Sequence, residues 1–383
     1  MPTDKIVLPP KICAVVESLE SKIDFDIINV KSGNGFVLIG TNRILERKVV
    51  VKFYYWGDGA HAEPKMLSEL AHTNVLKVDD AAPIDTEDAY FVTPYCENGD
   101  LDDVMSANRL NVKQAVDIIL DVASGVSFIH GKGYIHRDLK PSNIFCTGDG
   151  RFVIGDFGSV VIVGENGYAQ TGSRHSLLYR TPEEAHSGRA YQRGDIYQLG
   201  LVFYQLLGGY LPYDEIDWLS ADEKVKYSKR EAPDNQLYAT AIIENKIKKG
   251  KLIDWKSLPP WCPAELISVI RKCCKVDRDD RFETVAALIA KLNNLRKSLP
   301  DWRFEPEPVL YRAKAKYRLV GQPGGYAVEK MVSGAFAWRR ERALKQPRCQ
   351  KQLGWPRRYE GRARVKVKAV VLASLTDLVV LTS

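Results

Sequence analysis

Between Tyr134 and Gly158 the chain reads YIHRDLKPSNIFCTGDGRFVIGDFG, a stretch dense in ionisable side chains. His136, Arg137, Asp138, Lys140 and Asn143 stand within eight residues. Asp156 follows 13 residues after Asn143, beyond an apolar run. Moving a phosphoryl group from ATP to a hydroxyl needs a carboxylate that orients the hydroxyl, oxygens that hold Mg²⁺ and a cation beside the transferred group. Asp138 suits the first task, Asn143 and Asp156 the second, and Lys140 the third.

HRDLKxxN followed by DFG resembles the catalytic loop and magnesium-binding loop of eukaryotic-type (Hanks-type) Ser/Thr protein kinases. The resemblance covers about residues 24–297. It implies that Asp138 orients the substrate hydroxyl and that Lys140 marks the Ser/Thr version of the loop. Asn143 and Asp156 would bind Mg²⁺, with Mn²⁺ as an alternative. His136 and Phe157, followed by Gly158, would be structural, the first two stacking with Leu67 and Val78 in an apolar column. Arg137 would be a free cation able to bind phosphate on Thr171 or Ser173. Ser176 would touch Asp138 and Lys140. Glu183, in TPE, would pair with Arg281, and Asp195 would bond the backbone of the catalytic loop. The implied activity is transfer of the γ-phosphoryl of Mg·ATP to protein Ser or Thr, with autophosphorylation. A pseudokinase scaffold and a small-molecule phosphotransferase are the rival readings.

Those groups need elements to hold them. Residues 10–21, opening at Pro9–Pro10, read as a short helix. Phe25–Val30, Phe36–Gly40 and Lys48–Tyr55 are strand-like, rich in Ile, Val and Phe. Between the first two, KSGNGF sets Gly33 and Gly35 where a hairpin could lie close over phosphates. An Asn-Gly pair also marks an ordinary hairpin, so both readings stand. By resemblance, Lys52 in KVVVK touches the α and β phosphates. Glu63 in HAEPKMLSELAHTNVL would be its ion-pair partner, on a short helix starting near His61. Val50 stands where the family usually has Ala, which tightens the adenine pocket. YFVTPYCENGDL, residues 90–101, resembles a strand running into a hinge. Thr93 would be the gatekeeper, and the backbone of Pro94, Tyr95 and Cys96 would face adenine. Asp100 would reach the ribose, cap the next helix, or do both. Helical patterns cover 111–131 and 194–208. Residues 214–260 are long and polar, with a helix at 239–249. They form either a surface for substrates and regulators or a solvated insertion.

The length of 383 residues exceeds what one core usually fills. No run of 18 apolar residues occurs, and the N-terminus lacks a signal peptide's apolar core. The seven cysteines are odd in number, scattered and without a CxxC pair, which fits neither a zinc site nor a disulfide framework. A cytoplasmic setting is the simplest expectation. Charge is uneven: from Glu305 onward there are 17 Lys or Arg and 6 Asp or Glu, on a chain of net charge +7. This basic tail could bind nucleic acid or another acidic partner, dock on the acidic body, or carry no selected function. Pro300, Pro306 and Pro308 read as a linker. The expected fold is α+β and two-lobed, a β-rich small lobe and a mainly helical large lobe with a basic C-terminal extension. Its parts are an extension at 1–23, a catalytic domain at 24–297 (small lobe 24–96, large lobe 97–297), and a linker and tail at 298–383.

Overall fold

Pro10 opens the first helix, where a missing N–H costs nothing because that donor has no helical partner. This helix, α1 (Pro10–Leu19), buries Ile12, Val16 and Leu19 at the spacing of one helical face. The computed structural model describes residues 8–32, 35–55, 69–107, 110–170, 176–259 and 262–299, and the backbone of strands between 301 and 345. For 27–32 and 35 it likewise describes the backbone alone. The chain divides into two compact units, residues 1–101 with 121–198, and 102–120 with 199–383.

The first unit contains an antiparallel five-stranded sheet. Its strands are β1 (Ile23–Ser32), β2 (Gly35–Asn42), β3 (Arg47–Tyr55), β4 (Asp80–Pro83) and β5 (Asp88–Pro94), in the order β1-β2-β3-β5-β4. Side chains alternate across a strand, so Val49, Val51 and Phe53 of β3 share one face and Lys52 takes the other. The apolar face joins Leu38 and Val92 in a core closed by Ile12, Val16 and Leu19 of α1. Lys11 ties α1 to Asp85 and Asp88 at the rim. The helix assigned from sequence to an N-terminal extension therefore shares the core of the sheet.

Two further helices follow, α2 (Leu101–Ala107) and α3 (Val112–Gly131). On α3, Val116, Ile119, Ala123 and Val126 repeat at helical spacing and are buried. After Gly133, whose φ of 83° suits a residue without a Cβ, short strand pairs frame the motif residues. β6 (Tyr134–Ile135) pairs with β9 (Val161–Ile162), and β7 (Ile144–Cys146) with β8 (Phe152–Ile154). β10 (Ala169–Gln170) pairs with β11 (Arg189–Ala190), enclosing α4 (Pro182–Ser187) in sequence. Then comes α5 (Gln192–Leu206), whose residues 194–204 are all buried.

The second unit holds α6 (Ala221–Ser228), α7 (Asp234–Lys248), α8 (Ala264–Cys273) and α9 (Val285–Arg296). Helix α7 starts earlier than the 239 expected. Residues read as linker and tail form a five-stranded antiparallel meander: β12 (Asp301–Glu305), β13 (Glu307–Arg312), β14 (Ala315–Gln322), β15 (Gly325–Val332) and β16 (Ala337–Lys345). Pro308 does not break it. It stands opposite Phe304, before the ladder to β14 begins at Val309, so its missing N–H interrupts nothing there. Among the described residues no helix is long and apolar enough to cross a membrane.

Leu19→Ala should destabilise the first unit by about 3 kcal/mol, because a buried side chain is lost and the sheet cannot collapse into the gap. Urea unfolding of the two proteins measures the difference.

Candidate active site

The loop from His136 to Asn143 lies between β6 and β7, and its shape depends on buried polar side chains. Asp195, fully buried on the first turn of α5, accepts the backbone N–H of Arg137 on Oδ1 (2.8 Å). Its Oδ2 accepts the N–H of His136 (2.9 Å) and His130 Nε2 (2.7 Å). One turn on, Gln198 Nε2 donates to the carbonyls of Arg137 (2.5 Å) and Tyr179 (2.9 Å). Its Oε1 accepts the N–H of Leu139 (2.9 Å). The backbone on both sides of Asp138 is thereby fixed. Arg137 has a φ of 70°, a left-handed conformation rare for a side-chain-bearing residue.

Asp138, Lys140, Asn143 and Ser176 converge. Lys140 Nζ donates to Asp138 Oδ2 (2.7 Å) and to Ser176 Oγ (2.6 Å). Asn143 Nδ2 donates to the carbonyl of Asp138 (2.7 Å) and to its Oδ2 (3.0 Å). That leaves Asn143 Oδ1 as an acceptor. Asp138 Oδ1 is buried with no hydrogen-bond partner, so it is open to a donor.

Asp156 is also left-handed, with φ 58°, and its carboxylate pairs with Lys52 from β3. Burial works to raise its pKa, but the charge and hydrogen bond of Lys52, with Lys140 and His136, hold it below its ordinary value of 3.8. Its folded pKa lies below the unfolded one, so the stabilisation from this pairing is complete above 3.8. It is lost as the pH falls through the lowered value. Gly155, just before, has no room for a Cβ: one would sit 2.8 Å from Phe145 Cε2 and 3.0 Å from Leu76 Cδ2. His136 is buried and donates through Nε2 to the carbonyl of Gly155 (3.0 Å). Burial depresses its pKa despite the nearby Asp195, Asp138 and Asp156. Its ring lies 6.2 Å from that of Phe157, which in turn lies 6.4 Å from Phe91.

Arg137 needs a correction. It is not a free cation: its guanidinium is buried and pairs with Glu184 Oε1 at 3.0 Å, with a second nitrogen on the carbonyl of Ser159 at 3.3 Å. Burial lowers its pKa and Glu184 works against that. A buried charge requires such a partner. Sequence reasoning paired Glu183 with Arg281 and gave its neighbour Glu184 no role.

At the hinge, Thr93 is buried on β5 opposite Val50. The N–H of Tyr95 is taken by the carbonyl of Lys48 (3.1 Å). Cys96 follows outside the strand, its thiol pushed up to about 11 by burial. Asp100 bridges to Phe145 and directly precedes α2. Gly35 opens β2 opposite Tyr54, and Val78 is buried. Arg281, in the second unit, is buried and donates to the carbonyls of Lys275 and Val276. Gly33, Glu63, Leu67, Thr171 and Ser173 lie outside the described residues. Gln198, Glu184 and His130 are missed by sequence reasoning. A lone Gln in the apolar run DIYQLGLVFY, three residues after Asp195, was the available signal for the first.

Residues 36–292 match the model of the protein kinase domain. The chain belongs to the protein kinase family, and its five-stranded sheet followed by helices is consistent with the two-lobed fold of that family. It is 30% identical over 245 residues to Serine/threonine-protein kinase PrkC of Bacillus subtilis, covering 60% of this chain and 37% of that protein. It is 31% identical over 150 residues to Probable serine/threonine-protein kinase PknB of Lactococcus lactis, covering 39% and 24%. The interferon-induced, double-stranded RNA-activated protein kinase of Mus musculus is 28% identical over 309 residues, covering 75% and 53%. The chain thus spans from about a quarter to about half of these relatives.

Asp195→Asn should replace one acceptor oxygen with a donor that faces donors. We expect a loss of about 3 kcal/mol in unfolding free energy, since buried N–H groups are orphaned. Urea unfolding of the two proteins measures the loss.

Proposed function

We propose that this chain transfers the γ-phosphoryl group of ATP to Ser and Thr hydroxyls of proteins. The single observation that carries the reading is the buried, unpartnered Asp138 Oδ1, beside a lysine that bridges Asp138 and Ser176. A substrate hydroxyl donating to Oδ1 would be oriented for in-line attack. Strong basicity is not required of Asp138, because the transition state is loose. Lys140 offers positive charge where the transferred group becomes more negative.

The donor set fits Mg²⁺, with Mn²⁺ as an alternative. Asp156 is held ionised and Asn143 Oδ1 is left as an acceptor, so both can offer the hard oxygens that such ions take. The ion would supply charge neutralisation on the β and γ phosphates. Lys52 reaches Asp156 from the sheet, which suits it to the α and β phosphates, with Glu63 as its expected partner. Cys96 offers its N–H and Pro94 its carbonyl to adenine, since the N–H of Tyr95 is already used. Asp100 suits the ribose. The pseudokinase reading is not favoured, because Lys52, Asp138, Asn143 and Asp156 are all present.

Autophosphorylation, a protein substrate and a cytoplasmic setting belong to the same proposal. An anionic partner for the basic tail rests on charge alone.

Incubated with Mg·ATP, the protein should gain whole phosphates by intact-mass analysis, and Asp156→Asn should gain none. No gain in either, despite measurable ATP binding, would restore the scaffold reading.

A further inference from the structure

Arg137 carries its charge into a place almost without water. Its side chain is 1% exposed and that of Glu184 is 7% exposed. Glu184 belongs to α4, where its N–H is accepted by the hydroxyl of the N-cap Thr181 at 3.2 Å. The carboxylate therefore reaches Arg137 from an element that is itself anchored at the end of the segment following Asp156. Gln198 makes a second tie between the same two regions. It holds the carbonyl before Asp138, the N–H after it, and the carbonyl of Tyr179, two residues ahead of Thr181. The catalytic carboxylate is thus braced through its backbone and through the side chain beside it. Both braces come from uncharged or carboxylate groups already in the chain.

We propose that Glu184 and Gln198 are positioning residues that hold Asp138 ready for phosphoryl transfer, Glu184 giving Arg137 the negative partner that a phosphorylated segment would otherwise bring. The proposal rests on the phosphotransfer reading above. Its consequence is that unphosphorylated protein transfers phosphate at full rate from the first turnover. Glu184 acts through Arg137 and Gln198 acts through the backbone; neither touches substrate.

The test uses the full chain. The protein is stripped with a phosphatase, the phosphatase is removed, and the absence of phosphate is confirmed by intact mass. Transfer to an arrayed library of Ser/Thr peptides is then followed in time. Linear progress from the first points is expected. A lag that preincubation with Mg·ATP abolishes would overturn the proposal. If the protein, stripped or not, transfers nothing, the phosphotransfer reading fails and takes this inference with it.

Variants locate the effect. Glu184→Gln keeps the shape and removes the charge; kcat should fall about tenfold while the KM for ATP stays within about twofold. Glu184→Asp should restore part of the rate. In the background of Arg137→Ala, Glu184→Gln should slow the enzyme no further, as expected when two residues act as one unit. An unchanged kcat for Glu184→Gln, or losses that simply add, would overturn the role of Glu184. If Glu184→Gln does not fold, Gln198→Ala removes no charge and should show the same split between kcat and KM. Wild-type kinetics there would overturn the role of Gln198.

Discussion

The constraint on which the rest depends is the left-handed backbone at Arg137, held where Asp195 can grip it. A side-chain-bearing residue in that region is strained by about 1–3 kcal/mol and persists only where its surroundings insist on it. Here they do. Asp195 takes the N–H groups of His136 and Arg137, and Gln198 takes the carbonyl of Arg137 and the N–H of Leu139. A loop of eight residues would otherwise sample many conformations. Four buried contacts from one helix leave it few, and Asp138 stands at the centre of that restraint. Helix α5 can supply them because its residues 194–204 are all buried, where a hydrogen bond meets little competition from water.

Asp156, left-handed like Arg137, is secured from the sheet. Lys52 approaches from β3, whose opposite face is sealed against α1. The charged face of the strand is thus available for chemistry because its apolar face is fully occupied. Phe157, next in the chain, leans on His136 and Phe91, so Asp156 and the loop that carries Asp138 share an aromatic neighbour.

The site was legible in sequence to the extent that its chemistry demands particular side chains at short range. Asp138, Lys140, Asn143 and Asp156 are close in the chain and have few substitutes for the task. Gln198 and Glu184 are different. Glutamine is common, and its role here follows from lying one turn after Asp195 against a loop some sixty residues away. Glu184 meets Arg137 across 47 residues, a separation no local pattern records, so Arg137 read as unpaired. Strands β1, β2 and β3 were legible as runs rich in Val, Ile and Phe, and β5 by resemblance, whereas β4, with the sequence DAAP, carries no such run. The meander after Asp301 was not, because prolines there were read as breakers; Pro308 escapes that rule by standing outside the ladder to β14.

The cover that α1 places over the sheet has a consequence for how the chain is made. Ile12, Val16 and Leu19 leave the ribosome well before the strands they seal, and Val92 follows about 70 residues later. A ten-residue helix in water has little stability of its own. Its apolar face stays exposed until β2 and β3 supply Leu38, Val49, Val51 and Phe53, and Val92 of β5 completes the core. Until that core closes, the apolar face of α1 is where a chaperone or an aggregate would compete for this protein.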